Sequence, residues 1–498
     1  MHDKQAAQPD RSLAALILAF VLAAAHQYLF YGVMPGISYP IFVCLFYAYT
    51  LYIARDQIRK PTWIAYLWLG VIVLLSLTYV LFYNQLFYTL NLAVIPVLIV
   101  LHMTYMLRRE RPAWASWTLI GQTLEHLFPQ TLRHWATAAR MVRGGRGKGI
   151  QPERKQVLVK ILFGLCIAFP LLLVVVSLLG AADGVFQQML GQLPELLARA
   201  SFGEGIGRTL WLVLLGLGFF GLVWGYVVPH KYNWNERPAG LEGVLEPVVL
   251  RMDPVILTTV LVAVNAVYVL FVFVQFTYLF GAWDGVLPAG SSYAEYARSG
   301  FFELVLVTGI NFVILMFALL PANSAVTPLL RRMISLLLYV LVGCSLVMLY
   351  SAFTRLTLYE EAYGYTYIRF LVHACMLMLG LLLVLAAVRI GREHFPLVKC
   401  SLVVLLLGYV LMNYLNMDDI IAKQNVARYQ TGGEVDADYL SRLGPGATKV
   451  LIRFSRDHEG VLDSYLRADL ETETGRSWQS FNAAKYSARR ALENYFNH

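Results

Sequence analysis

Apolar runs, most of them long enough to cross a ~30 Å hydrocarbon layer as a helix, recur from Leu13 to Leu415 and set what this chain can fold into. They fall near 13–31, 39–54, 63–82, 86–107, 157–180, 209–228, 255–280, 301–320, 333–352, 365–388 and 397–415. No water reaches the interior of a bilayer to satisfy an open backbone, so every run must be helical. The expected fold is therefore all-α, a polytopic bundle of about 11 transmembrane helices. Residues 58% hydrophobic and only 14% charged support that reading, since soluble domains carry about a quarter charged residues. The first run also offers Ala23-Ala24-Ala25 as a signal-peptide cleavage site, an alternative that leaves the orientation of the rest unchanged.

Lys and Arg give the orientation, because they concentrate in cytoplasmic loops. Arg55, Arg59 and Lys60 follow the second run, and Arg108, Arg109 and Arg111 open the loop after the fourth. Lys231, Arg237 and Arg251, then Arg331 and Arg332, then Arg389, Arg392 and Lys399 fall on the same side, while the alternate loops hold isolated arginines such as Arg199 and Arg298. The expectation is a multi-pass protein of the bacterial cytoplasmic membrane with the N-terminus inside and the C-terminus outside. The net charge of +9 is thus topological. It does not point to nucleic acid, which would need a basic surface on a soluble domain.

The expected organisation has four parts: a four-helix membrane segment at 1–107, a basic cytoplasmic loop at 108–156, a seven-helix core at 157–415, and a small helical extracytoplasmic tail at 416–498. In the loop, Trp117, Ile120, Leu124, Leu127, Phe128 and Trp135 recur at helical spacing, which suggests an amphipathic helix at the inner leaflet. Arg143, Arg146 and Lys148 would then meet anionic lipid headgroups, or simply form a solvated basic loop. In the tail, Gly444-Pro445-Gly446 marks a turn between helices at 438–443 and 448–454.

Most catalytic signatures are missing. Glu125-His126 and Glu393-His394 lack the second histidine of an HExxH zinc site. No Gly-x-Ser-x-Gly elbow appears, and a dinucleotide fingerprint would need strands that this chain does not offer. The five cysteines form no CxxC pair. Neither metal nor cofactor is indicated. Polar residues within the runs remain, because they are expensive in hydrocarbon and often mark a site. Asn265, Asn311 and Asn413 read first as interhelical hydrogen-bond glue, and His26 and His102 as interfacial residues.

Four stretches carry a resemblance: 293–303 (YAEYARSGFFE), 355–369 (RLTLYEEAYGYTYIR), 416–428 and 478–482. They resemble bacterial multi-pass membrane proteins known only as a domain of unknown function, the group numbered four-one-seven-three and its relative four-one-five-three. The resemblance implies a bacterial membrane protein and brings no activity with it. Asn416-Met417-Asp418-Asp419 departs from the Asn-Pro-Asp type of turn that the family leads one to expect.

These stretches also hold the candidate site. Glu303 and Arg369 each fall about one helical turn below the expected outer boundary, so the two can meet and pair at one level. His373 follows Arg369 by four residues and shares its face. Glu295, Arg298, Arg355, Tyr359 and Glu360 would line a polar vestibule above them. Against a functional reading, a carboxylate in a first helical turn is favoured by the dipole alone, and an arginine near a helix end can snorkel. Three function classes stay open: a non-enzymatic ligand-binding, sensory or regulatory module; a transporter of a small polar or anionic solute; and a membrane enzyme acting on a lipid-linked substrate. The first fits best. Broken helices and repeats, the usual marks of a transporter, are not evident, and an enzyme would need a tighter set of acids, bases or metal ligands.

Overall fold

A computed structural model describes residues 8–108, 111–142, 204–229, 254–283, 301–319, 327–432, 436–472 and 477–497. Every regular element among them is helical. Ten of the eleven expected runs are helices, and the run at 157–180 lies outside the described residues. Among the described residues, eight helices are long and apolar enough to span a bilayer, and those at Ser38–Ile53 and Phe302–Ala318 are apolar but shorter. The chain is a multi-pass integral membrane protein that contacts lipid. It falls into two compact units, one drawn from residues 1–80, 88–233 and 476–482, the other from 81–87, 234–475 and 483–498.

The first unit holds α1 (Gln8–Phe30), α2 (Ser38–Ile53), α3 (Trp63–Leu81), most of α4 (Gln85–Leu107), α5 (Trp117–Glu125), α6 (Thr131–Val142) and α7 (Glu204–Val227). α1 packs along α7 and turns back into α2. The hairpin is tied at its charged end by an ion pair from Arg11 to Asp56 and by Arg11 Nη2 donating to the Ile53 carbonyl at 2.8 Å.

The amphipathic segment of the basic loop is present as α5 and α6, joined by a π-helical turn at His126–Gln130. α5 turns an apolar face outward, although Leu119 on its inner face is buried too. Thr123, His126, Gln130 and His134 are buried, whereas Trp117 is 84% exposed and Ile120 and Leu124 also face outward. That arrangement suits a segment with protein on its polar side and lipid on its apolar side. His126 Nε2 lies 2.7 Å from the Leu222 carbonyl, and the ring stacks on Tyr226 at 3.5 Å between centroids. Burial lowers the His126 pKa to about 3, against the pull of that carbonyl, so the imidazole is neutral. α6 comes this close because position 221 is glycine: a Cβ there would stand 2.4 Å from the Thr131 carbonyl oxygen.

Residues 477–482 also belong to this unit. Ile37 donates its N–H to the Phe481 carbonyl at 3.1 Å, and Asn482 Nδ2 donates to the Tyr79 carbonyl at 2.8 Å. The 478–482 stretch is therefore a strap across the loop after α1 and the end of α3.

The second unit contains α8 (Pro254–Trp283), α9 (Phe301–Ala318), α10 (Pro328–Tyr363), α11 (Tyr367–Gly391) and α12 (Leu397–Tyr414). Leu261, Leu315, Leu341, Leu356 and Leu383 form its core. The outward faces carry large apolar side chains such as Phe273 (71% exposed) and Ile368 (75%), which only lipid makes inexpensive. Asn265 Nδ2 donates to the Leu337 carbonyl at 2.8 Å and Asn311 Nδ2 to Ser345 Oγ at 2.9 Å, so both act as glue between helices.

α10 is longer than its apolar run. Thr327 caps it, Pro328 opens it, and no Gly or Pro interrupts 344–363. Its 36 residues extend about 54 Å, well beyond a ~30 Å hydrocarbon layer. Residues 355–363, expected ahead of the next span, are thus its last turns. The tail adds α13 (Met417–Gln430), α14 (Ala437–Ser441), α15 (Thr448–Asp457), α16 (Asp463–Thr472) and α17 (Ala483–Phe496). The turn at 444–446 separates α14 from α15 as expected. Met417, Ile421, Leu440, Leu451 and Leu466 form a core on which Tyr367, Phe370, Tyr409 and Met412 of α11 and α12 also pack.

Candidate functional site

Where α10 ends and α11 begins, the chain must bury the last carbonyls of a helix that has run out of N–H partners. Gly364 makes the turn with φ +84, and its N–H donates to the Glu360 carbonyl at 2.8 Å. A Cβ there would also lie 2.7 Å from Asn425 Oδ1, so the position admits little but glycine. Two guanidiniums take the exposed carbonyls. Arg369 Nη1 donates to Gly364, while Arg428 donates through Nε to Glu361 at 2.8 Å and through Nη2 to Ala362 at 2.6 Å. Cations at a helix C-terminus also answer its dipole.

Just inside this capped end lies a buried acid. Glu360 is 5% exposed, and its Oε2 stands 3.8 Å from His373 Nδ1. Phe353, Thr357 and Glu360 follow one another at i, i+4 and i+7 on α10, one face of the helix. His373 is set against that face: its ring meets Phe353 at 4.4 Å between centroids, and its Nε2 lies 3.5 Å from Thr357 Oγ1. Arg369, one turn before His373 on α11, lays its guanidinium 4.3 Å from the centre of the Tyr359 ring and interacts electrostatically with Glu360. An acid, an imidazole and a guanidinium, flanked by an aromatic ring and a hydroxyl, form a compact set able to orient a small polar or anionic molecule.

Of the expected site residues, Tyr359, Glu360, Arg369 and His373 are thus brought together. Arg355 is half-buried on the same helix. Glu303 is exposed on the first turn of α9, and among the described residues no ion pair joins it to Arg369. The expected Glu303–Arg369 pair is replaced by Glu360 with His373, because continuation of α10 carries Glu360 into the packed interface. Glu295 and Arg298 lie outside the described residues, as do Arg143, Arg146 and Lys148. Among the described residues, no group of three or more His, Cys, Asp or Glu could hold a metal ion.

The tail supplies residues not picked out from the spans. Asn425 clamps the turn, receiving the Tyr365 N–H on Oδ1 and donating from Nδ2 to the Tyr365 carbonyl, both at 2.9 Å. Tyr439 accepts the Tyr367 N–H at 3.0 Å, capping the start of α11. Asp418, 2% exposed, accepts the Gly444 N–H at 2.9 Å and holds the turn between α14 and α15. Burial raises its carboxyl from 3.8 to about 6, opposed by that N–H. Asn416 caps α13 by accepting the Asp419 N–H at 3.4 Å, so the expected turn forms without proline. The one sequence signal for this set was the 416–428 stretch, in which Asp418, Asn425 and Arg428 fall at i, i+7 and i+10 on one helical face.

A family model described as Domain of unknown function (DUF4153) matches residues 69–454. The match starts within α3, well ahead of the quoted stretches, takes in the whole α10–α11 turn, α13 and α14, and ends within α15. No curated protein and no solved structure matches the chain.

Proposed function

We propose that this chain, which belongs to the DUF4153 family, is a non-enzymatic membrane module that binds a small polar or anionic ligand at the α10–α11 turn and relays its presence through the tail. One observation carries this reading. The turn that bears Glu360, Arg369 and His373 is the turn clasped by Asn425, Arg428 and Tyr439. A ligand that drew Arg369 or Glu360 from its present partners would alter the backbone on which the tail is latched. Arg355 on α10, together with Glu295, Arg298 and Glu303, would complete the vestibule.

In this reading the tail end faces out of the cytoplasm and the N-terminus faces in. Support comes from the clustering of Arg11, Arg55, Arg59, Lys60, Arg108 and Arg111 at one end of the first unit, where Arg111 reaches the Lys60 carbonyl at 2.8 Å. The membrane is a bacterial inner membrane, and anionic lipid is the partner of Arg143, Arg146 and Lys148. The outward apolar face of α5 favours that placement.

The test is thermal unfolding of the full detergent-purified chain against phosphate, acetate, citrate and zwitterionic amino acids. At least one should raise the midpoint of the wild type and fail to raise it in Glu360→Gln and Arg369→Gln. Equal shifts in wild type and variants, or no shift with any solute, would overturn the assignment.

A further inference from the structure

The first unit contains a cavity of about 420 Å³ between α1, α2, α4 and α7, within the ~300–1,000 Å³ of small-molecule sites. Its wall is almost wholly apolar. Phe42 and Phe46 of α2 face Phe219 of α7, with Leu92 and Pro96 of α4 closing a third side. Proline has no N–H, so the helix wall is itself irregular here: the Leu92 carbonyl lacks its partner four residues on. Tyr39 and His26 are the polar members of the wall, and the His26 Nδ1 is buried with no hydrogen-bond partner.

The shape has a direction. On α7, Leu215, Phe219 and Leu222 descend the cavity over about 10 Å, and Tyr39 to Phe46 on α2 descend it over about the same length. Val33 and Pro35, in the loop after α1, line one end. Arg208 stands at that end, seven residues before Leu215 and therefore on the same face of α7, two turns above it. It is exposed, with its guanidinium 4.0 Å from the centre of the Tyr31 ring. A cation above an apolar shaft in a lipid-immersed bundle suits an anionic lipid, whose charged headgroup and apolar body are joined in the same order.

We infer that this cavity is a lipid site: it takes the upper part of one acyl chain of an anionic glycerophospholipid, with the phosphate at Arg208 and the chain starting along Leu215, Phe219 and Leu222. His26 lies at the level where the ester oxygens would pass and gives them a hydrogen-bond partner. The α10–α11 turn takes no part in this site, so the two readings stand or fall separately.

Native mass spectrometry of the delipidated full chain, titrated with dioleoyl-phosphatidylglycerol or dioleoyl-phosphatidylcholine, tests the inference. The wild type should retain one phosphatidylglycerol and prefer it about tenfold over phosphatidylcholine. Leu215→Trp, which fills the shaft, should lower occupancy at least tenfold. Arg208→Gln should erase the preference between headgroups while leaving chain binding. If Leu215→Trp is not monodisperse, Leu92→Trp makes the same test from the 44% exposed edge of the cavity. A wild type that retains no lipid, or an adduct that both tryptophan variants leave in place, would overturn it.

Discussion

Glu360 and His373 face each other across the α10–α11 interface at 3.8 Å, the acid 5% exposed. Neither lies at hydrogen-bonding distance from the other. The pair is held by packing between Phe353 and the capped turn. A buried pair that loses one member leaves the other uncompensated, which costs more than the pair is worth intact.

Glu360→Gln and His373→Gln should therefore each lower the thermal midpoint of the purified chain, and the double variant should lose less than their sum. The coupling expected for residues in contact is about 1 kcal/mol. A double-mutant cycle that closes with no coupling would mean the two residues do not act as a pair.

Arg428 makes two bonds to carbonyls of α10, at 2.8 and 2.6 Å. Hydrogen bonds from a charged donor are worth roughly 1.5–3 kcal/mol each, so Arg428→Ala should destabilise the turn by a few kcal/mol. Lysine offers no planar fork, and Arg428→Lys should rescue little. The readout is hydrogen exchange at Gly364 to Tyr367, which should speed up in both variants while exchange in α15 changes less.

Asp418 sets a pH dependence whose sign is opposite to that of a salt-bridged acid. Its folded value, about 6, lies above the ordinary 3.8, so between these limits the folded chain binds more protons than the unfolded one. Stability from this group is full below about pH 4, falls as pH rises through 6, and is flat above it. Two units correspond to roughly 3 kcal/mol at most. Asp418→Asn keeps an acceptor for the Gly444 N–H and removes the charge, so it should flatten the pH 4–6 slope and raise the midpoint at pH 7. A slope unchanged in the variant would assign it to another group.

A reporter active only in the cytoplasm, fused after His498, should stay silent, and a fusion truncated after Arg392 should be active. Activity from the full-length fusion would reverse the orientation proposed from the arginines and lysines.

Much of the bundle is legible in the sequence, because a helix in lipid is fixed by length and apolarity alone. Ten runs of residues appear as helices, all but α10 near their expected limits, and the tail turn at 444–446 sits between its two helices. The site is harder to read. Whether Glu303 meets Arg369 depends on how each helix is rotated about its axis, which depth and spacing do not determine. Glu360 sat in an expected loop, and only the unbroken helix through Tyr363 puts it on the face that meets His373. The clamps from Asn425 and Arg428 join residues 60 or more positions apart, a separation at which periodicity carries no information. Glu295 and Arg298 lie outside the described residues, so the vestibule they were expected to line stays a proposal.

α10 also makes a lever. One uninterrupted helix joins Glu360 to Arg331, whose Nη1 reaches Glu393 Oε1 at 3.4 Å near the opposite end. The 29 positions from one to the other amount to about 44 Å of helix. Axial slip or rotation at the capped turn therefore has a continuous helical path to the Arg331–Glu393 contact, without passing through any loop. Force applied to the tail is, mechanically, force applied at the far face of the membrane.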